Sequence, residues 1–166
     1  PLKDKQIDKP LIFNPVVSKI QSSDGDFRMA GARSIKYYPT ANTGGGMNND
    51  FAVFRLADII LMKAEAQLRG GAGNPVATLN YQSNGVSIRS RAGLADFASI
   101  NLDDLLKERA REMAWEMWRR NDLIRFGKYL NARVPDKAVS QPFRKLFPIP
   151  KAELDRNDNL TQNDGY

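Results

Sequence analysis

Between Asn101 and Leu130 the chain reads NLDDLLKERAREMAWEMWRRNDLIRFGKYL, thirty residues without a proline in which acids, bases and apolar side chains alternate at helical spacing. Apolar residues recurring every three or four positions select a helix over a strand. Asn101 offers an N-cap, and Asp103 and Asp104 place negative charge in the first turn, where the helix dipole favours it. Leu102, Leu105, Leu106, Arg109, Ala110, Met113 and Met117 are expected to form the inward stripe of a helix reaching Trp118, the arginine contributing only its stem. The run Arg119, Arg120, Asn121, Asp122 then interrupts the stripe, which resumes at Leu123, Ile124, Phe126 and Leu130. A fourth helix, bent away from the third, is expected there.

Upstream, Phe51, Phe54, Ile59, Met62 and Ala66 recur at spacings of three to five, with Arg55, Asp58, Lys63 and Glu65 between them, which predicts a first amphipathic helix ended by Gly70 and Gly71. Asn74 as N-cap and Pro75 as first helical residue predict a second helix running toward Arg91, broken or kinked near Gly85. The fold class expected is mainly α, with about four helices in tetratricopeptide-like antiparallel pairs. Residues 1–50 lack periodicity and carry Asp-Gly, Gly-Gly-Gly and Asn-Asn breakers. One short strand over 34–38 is expected within this segment, which should pack on the helices. Residues 51–131 form the helical core, and 132–166, with prolines at 135, 142, 148 and 150, should be an extended wrapping tail. The 166 residues suit one domain, and a chain beginning at Pro1 reads as a piece of something longer.

Neither cysteine nor histidine occurs, which removes disulfides, thiolate metal sites, cysteine nucleophiles and the commonest general base. No metal, cofactor or catalytic residue is expected. The net charge of +6 comes from interspersed charges of both signs, and no nucleic-acid module is recognisable, so a nucleic-acid partner is not expected. No apolar run approaches the length of a membrane span. The glycines at 44–46 lack the Lys-Ser or Lys-Thr that a phosphate loop requires.

Glu108, Glu112 and Glu116 stand at i, i+4 and i+8 and repel one another unless cations answer them. Arginines abound nearby, so structural ion pairs are the expected reading, and a carboxylate pair for glycoside hydrolysis is the rival. Trp115 and Trp118, three apart, would share much of one face and could form a stacking platform; core or interface packing is the commoner outcome at such spacing. Tyr37 and Tyr38, followed by an amide-rich loop containing Asn42, are the ligand-binding candidates.

FRLADIILMKAEAQLRGG, IRSRAGL, ERAREMAWEMWRRNDLIRFGKY and LFPIPKAELDRNDNLTQNDGY, in that order, resemble the C-terminal part of the SusD/RagB family of outer-membrane nutrient-binding lipoproteins. The resemblance covers residues 50–166. Its motif positions are Arg55, Asp58 and Glu65 in the first segment; Arg89 and Arg91 in the second; Glu108, Glu112, Glu116, Arg119, Asp122 and Arg125 in the third; and the Phe-Pro-Ile-Pro and terminal Gly-Tyr in the fourth. Arg120, Asp164 and Val86 depart from the family pattern. The resemblance implies a non-enzymatic glycan-binding protein, lipid-anchored at the cell surface through a cysteine this chain lacks, which passes its ligand to a TonB-dependent outer-membrane transporter. The rival function is a helical interaction scaffold that binds peptide or the transporter surface and no sugar. Asp122 and Arg125 are expected to belong to an ion network that fixes the bend after the third helix.

Overall fold

The structure, a computed structural model, describes residues 3–4, 9–10, 12–17, 29–32, 34, 36–37, 46–47, 49–133 and 137–166. The chain divides into two compact units: Tyr37–Tyr129, and Pro1–Lys36 with Leu130–Tyr166.

The first unit holds α1 (Leu56–Leu68), α2 (Pro75–Leu79), α3 (Leu102–Glu112) and α4 (Arg119–Arg125), in keeping with the mainly helical fold expected. Packing runs α1 on α2, α1 on α3 and α3 on α4. Ile60, Leu61 and Ala64 of α1 meet Leu79, Ile88, Leu105 and Met113 in one core, against which Leu68, Phe97, Ile100, Trp118 and Phe126 pack.

The inner face of α1 is not the one its apolar spacing suggests. Phe51, Phe54, Ile59, Met62 and Ala66 are exposed, while Asp58 and Glu65 are buried. Asp58, Leu61 and Glu65, at i, i+3 and i+7, lie on one stripe of the helix. Arginines from α3 and α4 meet the two acids on that stripe, so charge pairing decides which face turns inward.

Asn74 caps α2 as expected, its side-chain oxygen accepting from the Val76 and Ala77 N–H groups at 2.9 and 3.1 Å. The helix stops at Leu79, far short of Arg91. Asn80 turns its amide onto the backbone of Phe97, donating to the carbonyl at 2.8 Å and accepting from the N–H at 2.9 Å. Ser83 and Val86 then exchange backbone hydrogen bonds across Asn84 and Gly85, both at positive φ. That is a two-residue hairpin turn of the Asn-Gly kind, so Gly85 sits in a reversal and not in a kinked helix.

Asn101 caps α3, accepting from the Asp104 N–H at 2.9 Å. The helix ends at Glu112 and not at Trp118. Trp115 and Met117 adopt φ of 64 and 65°, which ends helical continuation, and Met117 lies in solvent instead of the core. The polar run beginning at Arg119 therefore opens α4, and the bend falls upstream of it, over 113–118. Arg109 buries its guanidinium as well as its stem, at 1% exposure.

In the second unit, β1 (Lys3–Asp4) pairs antiparallel with β2 (Lys9–Pro10). Asn14 accepts from the Gly31 N–H at 2.7 Å and donates to the Met29 carbonyl at 2.8 Å. Of the strand expected over 34–38, only Ser34, Lys36 and Tyr37 are described, and the last two form a turn, with Tyr37 at a φ of 57° that no strand accommodates. The C-terminal segment is not wholly extended. A 3-10 turn spans Pro142–Lys145, and a one-turn α5 covers Lys151–Leu154 directly after Pro150. Proline supplies a φ suited to a helix start, so these residues open turns as well as forbid helix interiors. The chain end is held by side chains: Gln162 accepts from the Ile149 N–H at 2.8 Å and donates to its carbonyl at 2.9 Å, and the Tyr166 hydroxyl donates to the Leu146 carbonyl at 2.8 Å.

A left-handed φ costs an ordinary residue about 1–2 kcal/mol, whereas glycine's extra unfolded-state freedom costs about 0.5–1 kcal/mol. Met117→Gly, at an exposed position with φ 65°, is therefore expected to raise the unfolding free energy by about 0.5–1 kcal/mol in urea titration.

Candidate functional site

The charged motif residues converge on the seams between helices. Arg109 projects from α3, its Nε donating to Asp122 Oδ1 of α4 at 2.9 Å while its Nη2 lies 2.9 Å from Asp58 Oδ1 of α1. The Asp58 contact is close in distance but misaligned for a hydrogen bond, and Asp58 Oδ2, Arg109 Nη1 and Asp122 Oδ2 are also without hydrogen-bond partners. All three side chains are at most 1% exposed. A buried guanidinium between two carboxylates is held together mainly by charge, in surroundings that screen it little.

Arg125 extends the chain of pairs. Its Nε and Nη2 donate to the two oxygens of Glu65 at 2.9 Å each, its Nη2 also reaches Asp122 Oδ1 at 2.7 Å, and Arg69 Nε adds a bond to Glu65 Oε1 at 2.9 Å. Burial alone would raise the Glu65 pKa, yet the hydrogen bonds and charges of Arg125 and Arg69 hold it below the ordinary glutamate value. Hydrogen bonding to Glu65 in turn raises Arg125, against the opposing effect of its partial burial.

A second cluster forms at the C-terminal end of α3. Arg55 donates through Nη1 to Glu112 Oε1 at 2.6 Å, through Nε to Glu116 Oε2 at 2.7 Å and through Nη2 to the Glu112 carbonyl at 2.6 Å. Arg91 Nη2 binds both oxygens of Glu112 at 2.8 Å. Burial opposes the charge on Arg55, but the bonds to Glu116 and Glu112 outweigh it and raise its pKa. Glu108 pairs with Arg111 and lies 3.9 Å from Arg89 Nη1, whose guanidinium stacks 4.5 Å above the Phe97 ring. Arg119 braces the side of α3, donating to the Leu106 carbonyl at 3.1 Å. The three glutamates thus pair with arginines, Glu108 with Arg111 of its own helix and Glu112 and Glu116 with Arg55 from the start of α1.

The ligand-binding candidates fare differently. Tyr37 stacks on Phe51 with centroids 5.2 Å apart, and Tyr38 and Asn42 lie outside the described residues. Trp115 and Trp118 do not share a face: Trp118 is half-buried against Phe54, at 5.9 Å, while Trp115 is 75% exposed. Two surface concavities escaped the sequence reading. One of about 400 Å³ lies beside Trp115, and one of about 630 Å³ is lined by Phe143, Leu146 and the chain end 162–165. Left-handed backbone at a tryptophan has no composition signal, so the first was invisible to spacing arguments. Among the described residues no cluster of His, Cys, Asp and Glu could hold a metal ion, and no helix is long and apolar enough to cross a membrane.

The SusD family model matches residues 17–166. The chain is similar to the starch-binding protein SusD of Bacteroides thetaiotaomicron, 33% identical over 129 residues, which cover 72% of this chain and 22% of that protein. It is likewise similar to the SusD-like protein P25 of Formosa agariphila, 32% identical over 126 residues, with coverages of 68% and 23%. Among solved structures, surface glycan-binding protein A from Bacteroides uniformis superposes with a TM-score of 0.57 at 34% identity, over 70% of this chain and 28% of that one. A laminarin-binding SusD-like protein does so with a TM-score of 0.56 at 37% identity, over 69% and 23%. The chain spans less than a third of the length of each of these relatives.

Glu65 binds fewer protons folded than unfolded, because its folded pKa is depressed. Its contribution to stability is fully present above the ordinary glutamate pKa of about 4.3 and is lost as pH falls through the lower folded value. The thermal midpoint of the chain is expected to drop across that acid window, and Glu65→Gln should begin less stable at neutral pH and show a shallower acid dependence. Superimposable acid profiles for the two proteins would contradict the pairing.

Proposed function

The chain belongs to the SusD family, and from that premise we propose that it forms part of a cell-surface protein that captures glycan for a TonB-dependent transporter. The parent protein is proposed to sit on the outer face of an outer membrane through a lipid anchor outside these residues. The likeness, at a third or more identity, to proteins named for binding starch and laminarin carries this reading. Glycan capture needs aromatic faces and polar edges and no cofactor or general base, which suits a chain without histidine or cysteine. It is also compatible with a charged interior committed to arginine–carboxylate pairing.

A second reading, in which the chain is an interaction scaffold that contacts peptide or the transporter surface and no sugar, is favoured by one observation. The outer face of α1 presents Leu56, Ile59, Met62 and Ala66 to solvent, an apolar strip on a helix whose inner face is also committed.

Calorimetric titration with a panel of gluco-oligosaccharides separates the two. Saturable binding without release of reducing sugar is expected. Absence of binding across the panel favours the scaffold, and hydrolysis abolished by Glu112→Gln would overturn the non-enzymatic assignment.

A further inference from the structure

Glu116 is buried, with its Oε2 accepting from Arg55 Nε at 2.7 Å. Its sequence neighbours cannot turn inward with it. Trp115 and Met117 flank it in left-handed backbone, at φ of 64 and 65°, and both side chains point outward, 75% and 86% exposed. Solvent preference opposes that outcome, since a tryptophan carries one of the largest apolar surfaces of any residue. Left-handed geometry at two non-glycine residues is disfavoured as well. What holds the turn in this form is the half-buried Arg55 clamp on the buried Glu112 and Glu116, so Trp115 sits next to a tethered residue and not on a loose loop. Strained backbone that presents a side chain in this way is a feature to be read for function.

The pocket beside the indole is about 400 Å³, within the range of small-ligand sites. Ala110 of α3 and Ala114 of the turn after it line the pocket with small side chains, Met113 and Met117 add apolar wall, and Arg109 and Arg119 also line it, the guanidinium of Arg119 steadied by its bond to the Leu106 carbonyl. An exposed aromatic, small side chains and the Arg119 guanidinium match the needs of a pyranose. Its C–H face covers the indole while its equatorial hydroxyls reach donors at the rim.

We propose that Trp115, Met117 and Arg119 form a glycan subsite that stacks a gluco-configured pyranose on the Trp115 indole. The proposal rests on the glycan-binding reading and adds to it a location, which the tyrosines near the amide-rich loop do not share.

The chain holds two tryptophans, so the Trp115 signal is the difference between the unmodified chain and Trp115→Ala. The probes are short β-1,3-linked and α-1,4-linked gluco-oligosaccharides, with acrylamide as fluorescence quencher and calorimetry for affinity. Acrylamide is expected to reach Trp115 freely without sugar and to be shielded from it at saturation. Trp115→Ala should weaken binding about tenfold, the scale of one lost aromatic contact, with an unchanged thermal midpoint, and Trp115→Phe should recover part of the loss. Equal affinity in Trp115→Ala, with no shielding by bound sugar, would overturn the subsite and leave the glycan reading standing. No binding of either oligosaccharide series would overturn both. Shielding that needs no sugar and grows with protein concentration would assign this face to a second copy of the chain and also overturn the subsite.

Discussion

The guanidinium of Arg109, buried between Asp58 and Asp122, is the constraint from which the rest of the helical unit follows. It draws one residue each from α1, α3 and α4 to a single point out of reach of water. Replacing such a cluster by well-packed apolar side chains is often neutral, but removing one partner costs about 3–5 kcal/mol because a charge is left buried alone. Its contribution is thus geometric. It sets the rotation of α1, so that the acids face in and Leu56, Ile59 and Met62 face out. The neighbouring chain of pairs, Asp122 to Arg125 to Glu65 to Arg69, fixes α4 against the far end of the same helix.

The second clamp, Arg55 on Glu112 and Glu116, acts on the connection between α3 and α4. By pulling Glu116 inward it ends regular helix at Glu112 and turns Trp115 and Met117 outward. Charged residues in this way fix the turn that exposes Trp115. At Asp122 and Arg125 the family motif is structural: the two residues pair with Arg109 of α3 and Glu65 of α1 and hold α4 in the frame.

Much of this was legible in the chain itself. Asn74 and Asn101 were readable as caps because a short amide before an apolar-periodic run has few other uses, and the alternation of acids with arginines announced ion pairs. The rotation of α1 was not legible, because its apolar residues surround the helix and only the partners of Asp58 and Glu65 break the tie. The end of α2 was legible and missed: Asn84-Gly85 is a hairpin signal, and the helical pattern around it outweighed it. The turn at Trp115 and Met117 carried no glycine to announce it, and it arises from a contact sixty-one positions away in the chain, between Arg55 and Glu116. Spacing arguments are local, and that bond is not.

The central claim, that a buried charge cluster and not apolar periodicity orients the helices, is tested most directly by urea unfolding of Asp58→Asn, Arg109→Met and the double variant. Strong coupling is predicted: each single change should cost several kcal/mol, and the double should fall short of their sum by about 2 kcal/mol or more, as for contacting buried charges. Losses that add to within about 0.5 kcal/mol would show that the two residues act independently and would contradict the account.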